Sequence, residues 1–270
     1  MSHDQLVARA RAGDRRALDQ LLREMKDLIY NLAIRMLGSP ADAEDASQEI
    51  LIRLVTGLDS FRGDSSFRTW VYRVASNQLL TTRKRLAEQR IESFETLGAI
   101  LDDGIAAALP APESTLLVRE AKLVCTTMML MCLDRDHRLA YILGEILELP
   151  GDEAASVVGI SGEAFRKRLS RARERMDEFA TSRCGIVDTA NACRCGTQAA
   201  NALHKGLIAP ERLTWAMHRT AAQRDADVAE IDRLMRTVEL MRSAPRYAAP
   251  ESLIDGLRAL IEDRRSGLLS

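Results

Sequence analysis

Four aromatic residues lie close to a run of positive charge in one short segment of the chain. Phe61, Phe67, Trp70 and Tyr72 fall within twelve positions, although Phe, Trp and Tyr make up only 4% of the residues, and the basic run Arg83–Arg85 follows. Aromatic rings suit stacking on unpaired bases, worth roughly 1 to 3 kcal/mol per base, and fixed positive charge suits their phosphates. The segment therefore predicts a binding surface for single-stranded nucleic acid. Packing in a helical core is the alternative for each ring.

The residues from Trp70 onward have the period of an amphipathic helix with two different faces. Val71, Ala75 and Leu79 repeat every four positions and predict the buried face. The other face carries polar and basic side chains that we expect to contact the nucleic acid, together with the rings that precede it. The predicted contact residues of this segment are Phe61, Phe67, Trp70, Arg73, Asn77, Arg83 and Lys84.

A second basic segment has the pattern of a helix-turn-helix. A short helix over residues 152–158 is followed by Gly159 as a turn and Ser161 as the N-cap of a longer helix. The apolar stripe predicted for that longer helix is Phe165, Leu169, Ala172 and Met176. The residues outside the stripe, which we expect to reach phosphates or base edges together with Ser161, are Arg166, Lys167, Arg168, Arg171 and Arg173. A solvated basic helix is the alternative.

Composition favours an all-α protein, and the charges are segregated along it. The 270 residues are 46% hydrophobic and 29% charged, with many Ala, Leu and Arg and few Gly or Pro. The net charge of −1 excludes an argument for nucleic-acid binding from overall basicity, so the position of the charges must carry it. Residues 68–90 carry a net charge of +5 and residues 161–175 carry +4, whereas residues 92–120 carry −5. This alternation predicts two nucleic-acid contacts with acidic segments between them.

The N-terminus has no charged stretch followed by an apolar core, and no run of residues approaches the length of a membrane span. We therefore expect a cytoplasmic protein that makes no membrane contact. Its five cysteines are then expected to be reduced, which favours metal binding or redox sensing over a disulfide framework.

Breaks in the helical pattern divide the chain into four parts. Residues 4–90 predict one helical domain and residues 115–180 a second one. Residues 91–114 lose the periodicity and end in Pro110-Ala-Pro112, which predicts an acidic linker. Residues 181–270 predict a helical extension that contains cysteines and either regulates the core in cis or recruits a partner.

The extension carries a candidate metal site. Cys184, Cys193, Cys195 and His204 offer three thiolates and one imidazole, a set that suits zinc or copper(I), although the usual Cys-x2-Cys pair is missing. Reduced, uncoordinated cysteines are the alternative. The two remaining cysteines lie in an apolar helix, which favours core packing for them.

Together these segments resemble the extracytoplasmic-function RNA polymerase sigma factors, the compact members of the bacterial sigma-70 superfamily. Three blocks carry the resemblance in the family's order: Asp42–Glu49, Phe61–Arg85 and Ser161–Arg173. The first is similar to the family's polymerase-binding segment, the second to its promoter-melting and minus-ten segment, and the third to its minus-thirty-five recognition helix. The resemblance covers about residues 4 to 180.

The resemblance implies two small helical domains, no enzymatic activity, and core RNA polymerase and promoter DNA as partners, with an anti-sigma factor as a further candidate. It also implies that Asp42, Asp45, Gln48 and Glu49 dock on the polymerase clamp. The acidic linker would thread the RNA exit path, with its negative charge mimicking RNA, or act as a plain tether. The run Glu163–Lys167 departs from the family pattern, so the promoter sequence does not carry over.

Two other functions compete with this one. A stand-alone helix-turn-helix regulator with a metal- or redox-sensing tail would leave the acidic block and the aromatic segment unexplained. An enzyme would require a Glu-centred zinc motif, a phosphate-binding loop or a nucleophile triad, and the sequence contains none of them.

Overall fold

The computed structural model describes residues 1–81, 93–211, 213–215, 237–243 and 245–263. No β-strand occurs among these residues, which confirms the all-α prediction, and α7 as defined below continues into a π-helical turn. The helices are α1 (His3–Arg11), α2 (Arg15–Leu37), α3 (Pro40–Thr56), α4 (Phe67–Thr81), α5 (Phe94–Ala106), α6 (Thr115–Met131), α7 (Arg135–Tyr141), α8 (Gly151–Val158), α9 (Gly162–Arg183), α10 (Cys195–His204), α11 (Thr237–Arg242) and α12 (Ser252–Asp263).

Local capping chemistry explains where the N-terminal helices begin and end. Asp14 accepts hydrogen bonds from the backbone nitrogens of Arg16 and Ala17 at 3.0 and 3.2 Å, which fixes the start of α2. Gly38 ends that helix in the left-handed region with φ of 68°. Ser39 then caps α3. Turns at Gly13-Asp14 and Gly38-Ser39 thus separate α1, α2 and α3.

Contacts group the described residues into two compact units. The first comprises those within 1–83, 150–164 and 246–270, and the second those within 84–149 and 165–245. Within the described residues, no helix combines the length and the apolar character that crossing a bilayer requires.

The first unit is a helical bundle built around α2. Helices α1, α3 and α4 pack against α2, α8 packs on α4, and α12 packs on both α2 and α3. The predicted buried face of α4 is confirmed, because Val71, Ala75 and Leu79 are each fully inaccessible to solvent. This bundle fixes α3 and α4, which carry the acidic and aromatic segments.

The second unit joins the acidic segment to the cysteine-containing extension. Helix α10 packs on α5 and α6, and Leu213 joins Leu117 in a small apolar cluster. The carboxylate of Glu120 accepts hydrogen bonds from the backbone nitrogens of Thr214 and Trp215 at 2.8 and 3.0 Å. The first part of the extension is therefore integral to the fold of this unit.

The prediction that residues 91–114 lack regular structure is wrong over Phe94–Ala106, which form α5. A glycine allows close packing in α5, because a Cβ at Gly104 would overlap the side chain of Gln198. Asp102 pairs with Arg183 at 2.6 Å, and Asp103 pairs with Lys205. Two of the linker's acids thus neutralise basic residues of the same unit, which does not favour a role as an RNA mimic.

Candidate functional site

Three rings of the aromatic segment pack against one another. Phe61, Phe67 and Trp70 are only 5%, 3% and 9% exposed, and their ring centroids lie 5.4 to 5.7 Å apart. From α1, the His3 ring lies 5.8 Å from that of Phe67, and Arg11 donates to the backbone carbonyl of Phe61. The structure thus places the rings in the core, the alternative that the sequence left open. Contact with bases would require this aromatic cluster to open.

The polar face predicted for α4 is exposed at Arg73 and Asn77 and buried at Trp70. Arg73 and Asn77 are exposed, and both lie within reach of solvent along one side of the helix. The guanidinium of Arg73 donates to the hydroxyl of Ser156 on α8 at 2.7 Å, and Thr69 donates to Glu153 of the same helix at 2.7 Å. Helix α8 therefore covers the start of the α4 face. The predicted contacts Arg83 and Lys84 lie outside the described residues.

The four predicted polymerase-docking residues lie along one side of α3. Asp45 and Glu49 are exposed, and Asp42 and Gln48 are half-buried. Glu49 accepts a hydrogen bond from Gln78 of α4 at 2.7 Å, which orients its carboxylate. Spacings of three and four residues bring the carboxylates into one acidic row, as helical geometry requires.

The helix-turn-helix elements form as predicted. Gly159 ends α8 in the left-handed region with φ of 75°, and Ser161 accepts from the backbone nitrogen of Ala164 at 3.2 Å at the start of α9. The apolar stripe of α9 is buried as expected: Phe165, Leu169, Ala172 and Met176. Its basic residues are exposed apart from the half-buried Arg168: Arg166, Lys167, Arg171 and Arg173.

Acidic side chains divide the basic residues of α9 into two groups. Arg168 pairs with Asp136 at 3.2 Å, and Arg173 pairs with the buried carboxylate of Glu145. Within the described part of the chain, Arg166 and Arg171 form no ion pair. These two cations are the ones most available to a phosphate or a base edge.

Glu145 is an organising residue that the sequence analysis missed. It is 5% exposed, its backbone carbonyl accepts from Arg242 of α11 at 2.6 Å, and its side chain pairs with Arg173. Its position between apolar residues in the run Ile142–Leu147 could have indicated a buried and paired carboxylate, because a buried charge requires a partner.

The cysteines of the extension converge with one from α6. Cys125, Cys184, Cys193 and Cys195 all line an enclosed cavity of about 30 Å³ within the second unit. All four are free thiols. The backbones of Cys184 and Cys193 are joined by an isolated parallel β-bridge. His204 is exposed at the end of α10 and does not line this cavity. The structure thus brings together three of the four predicted ligands and replaces the fourth with Cys125.

The thiols are not arranged as a preformed metal centre. Among the described residues, no three His, Cys, Asp or Glu side chains stand in an arrangement that holds a metal ion. Burial, followed by the nearby Cys184 and Cys193, raises the pKa of Cys195 to about 12. Burial also raises the pKa of Cys125 well above its usual value. Both groups are therefore neutral thiols near pH 7.

Known proteins are similar to this chain in sequence over much of its length. Residues 21–89 match the family model described as sigma-70 region 2. The RNA polymerase sigma-H factor of Pseudomonas aeruginosa is 32% identical over 183 residues, which cover 64% of this chain and 91% of that protein. The ECF RNA polymerase sigma-E factor of Escherichia coli K12 is 32% identical over 181 residues, with the same two coverages.

Two solved structures of similar chains are complexes. One is the structure of CnrH in complex with the cytosolic domain of CnrY. The match covers 63% of this chain and 91% of that chain, with 26% identity and a TM-score of 0.43. The other is the sigma factor RpoE in complex with the anti-sigma factor NepR from Bartonella quintana. This match covers 60% of this chain and 95% of that chain, with 23% identity and a TM-score of 0.42.

Proposed function

The chain belongs to the extracytoplasmic-function sigma factors of the sigma-70 family, and we propose which of its surfaces binds core polymerase and which bind promoter DNA. It is a bacterial RNA polymerase sigma factor, which binds the core enzyme and directs it to promoters. The observation that carries this conclusion is the 32% identity to sigma-H over 91% of that protein's length. A stand-alone regulator would need only the helix-turn-helix, whereas the family match at residues 21–89 lies in the other segment.

The acidic row on α3 is proposed as the contact with the core enzyme. Asp45 and Glu49 are exposed and accept charge-assisted hydrogen bonds from basic groups of the polymerase, and Asp42 and Gln48 flank them. Hydrogen bonds to charged groups contribute roughly 1.5 to 3 kcal/mol each, so loss of two of them is measurable in the affinity.

The two basic surfaces are proposed to bind DNA in succession. Arg166 and Arg171 of α9 contact the closed duplex first. Arg73 and Asn77 of α4 then hold the single strand once bases leave the stack, and Trp70 and its neighbouring rings receive a base when the aromatic cluster opens. Extruding a base costs a few kcal/mol, which stacking and edge contacts must return. The chain acts through this binding energy and contributes no catalytic group of its own.

Run-off transcription with purified core polymerase and a promoter library tests the proposal. We expect initiation at defined sites only when the chain is added. Asp45→Ala combined with Glu49→Ala is expected to weaken core binding at least tenfold, whereas Asp4→Ala, an exposed acid on α1, serves as the matched control. Specific initiation by the double variant at wild-type affinity would remove the acidic row from the interface.

The site of action follows from these partners. We propose that the chain works in the cytoplasm, where polymerase and chromosomal DNA are found. An anti-sigma factor stays a prediction from the family resemblance.

We further propose that zinc or copper(I) draws Cys125, Cys184, Cys193 and Cys195, which are not preformed as a metal centre, together into a four-thiolate site. The supporting observation is that all four thiols line one cavity of about 30 Å³, more than the roughly 10 to 15 Å³ that one water molecule requires. Four thiolates suit either metal, and binding would displace their protons.

Titration of the reduced chain with zinc, followed by competition with a chromophoric chelator, tests this site. We expect one ion per chain, its loss in Cys125→Ser, and retention in both His204→Ala and Cys132→Ser. Binding that depends on His204 and not on Cys125 would contradict the four-thiol set.

A further inference from the structure

The segment of residues 246–257, here named the tail segment, lies on α2 and α3 within the first unit. It begins more than sixty positions after the end of α9 at Arg183 and yet joins the N-terminal bundle. Leu253, Ile254 and Leu257 of the tail segment are 6%, 1% and 2% exposed. An apolar helical face of this kind, once buried, contributes substantially to holding the segment in place.

Backbone groups of the tail segment are matched by specific side chains of α2. The amide of Asn31 donates to the carbonyl of Tyr247 at 2.6 Å, and its oxygen accepts from the nitrogen of the same residue at 2.8 Å. Asp27 accepts from the nitrogen of Ala249 at 2.8 Å. Three backbone groups of a chain without regular structure are thereby satisfied, so the position of the segment is sequence-specific.

An ionic contact fixes the start of α12. Glu251 pairs with Lys26, and it also pairs with Arg23 at 3.1 Å. The hydrogen bond from Lys26 is the main cause that lowers the pKa of Glu251, followed by the charge of Lys26 itself. The tail segment is therefore anchored by an apolar face, by backbone hydrogen bonds and by charge.

The tail segment borders the proposed polymerase-docking row. The backbone of Gly256 approaches Gln48 so closely that an added Cβ would lie 3.4 Å from the amide nitrogen of that side chain. A polymerase element that contacts Gln48 would meet α12 at the same place. In the same unit, α8 engages Thr69 and Arg73 of the proposed single-strand face.

We propose that the tail segment competes in cis with core RNA polymerase for the α2–α3 face, so that the isolated chain is held in a masked state. The proposal rests on the docking role of α3 proposed above. In a masked state the apparent affinity for polymerase falls in proportion to the fraction of molecules whose face is free. Release of the tail segment therefore strengthens polymerase binding without any new contact to the polymerase.

The test compares full-length variants that release the tail segment. Glu251→Lys places a cation beside Arg23 and Lys26, and Ile254→Glu places a charge in the apolar contact. Binding of fluorescently labelled chain to core polymerase is expected to become about tenfold tighter in each, the gain from a roughly 90% masked state. Ser252→Ala, an exposed position of the same helix, is the matched control and is expected to bind as the wild type does.

A charge exchange provides the second arm. Lys26→Glu combined with Glu251→Lys re-forms an ion pair and is expected to return the affinity towards the wild-type value. Wild-type affinity in both Glu251→Lys and Ile254→Glu overturns masking. The docking role fails separately, through undiminished binding of the Asp45→Ala and Glu49→Ala variant, so the two failures are distinguishable.

Discussion

Arg171 and Arg173 lie two positions apart on α9 and carry the same charge, but their surroundings give them different roles. Arg173 pairs with the buried Glu145, whereas Arg171 forms no ion pair with a described residue. We predict that Arg171→Ala weakens binding to duplex promoter DNA and lowers the salt slope of that binding by about 1.

We predict that Arg173→Ala lowers the free energy of unfolding by about 1 to 3 kcal/mol, because it removes a partner of a buried carboxylate.

Salt-dependent DNA binding and denaturant unfolding, measured on both variants, separate the two roles. Arg166→Ala serves as the comparison for Arg171→Ala, since both side chains are exposed on the same helix. Loss of stability in Arg171→Ala with an unchanged salt slope would contradict the assignment.

Burial lowers the expected reactivity of Cys195 in the extension and of Cys125 in α6. Because burial raises the pKa of Cys195 to about 12, its thiolate stays scarce as the pH rises through 8, and Cys125 is shifted in the same direction. The thiolate is the nucleophile in alkylation. We predict that both residues react with iodoacetamide at pH 8 at least tenfold more slowly in the folded, metal-free chain than in denaturant, as followed by mass spectrometry. Equal rates in the two conditions would show that the burial is absent in solution.

Helical spacing predicted which residues of α4 are buried, but it could not predict burial that depends on residues outside the helix. The spacing of Val71, Ala75 and Leu79 correctly gave the buried face of α4, because helical period is a local property. The burial of Trp70 could not be read in that way, since it depends on contacts with Phe61 and Phe67 and on the packing of α1. Cys125 joined the other thiols for the same reason, through the packing of α10 on α6.

At the scale of elements, the backbone bridge between Cys184 and Cys193 depends on a glycine. A Cβ at Gly185 would overlap the backbone carbonyl of Cys193, which cannot move without breaking the bridge. We predict that Gly185→Ala lowers the free energy of unfolding by about 1 to 3 kcal/mol, the usual cost of overpacking. Gly151→Ala is the matched control, because a Cβ there meets no atom within 4 Å. Thermal unfolding of both variants measures the difference, and equal stability would contradict the close approach.

The loss of helical periodicity over residues 91–114 predicted a linker, whereas Phe94–Ala106 form α5. In α5, Gly98 and Gly104 admit the side chains of Arg183 and Gln198. Sequence alone does not distinguish a glycine that bends the backbone from one that makes room for a neighbour. That distinction requires the partner, which here lies about a hundred positions later.

At the scale of the whole molecule, the residues after 180 are divided between the two units. Residues 195–204 pack on α5 and α6 of the second unit, whereas residues 246–257 pack on α2 and α3 of the first. The sequence predicted one appendage beyond a family core that ends near 180. The structure instead makes residues 195–204 and Leu213 part of the fold of the second unit and the tail segment part of the first.

Two truncations therefore have different expected results. A chain ending after residue 180 loses Gln198, whose amide donates to the carbonyl of Leu101 at 2.8 Å, and it loses Leu213 from the cluster with Leu117. We predict that this truncation destabilises the second unit by several kcal/mol, since each buried aliphatic side chain contributes about 1.5 to 3 kcal/mol. A chain ending after Ser243 keeps these contacts and is predicted to retain the cooperative unfolding of the second unit. Hydrogen exchange at the backbone amides of α6 reads out that unit alone, and protection there in the shorter chain equal to that in the longer one would show that residues 181–243 are dispensable for the fold.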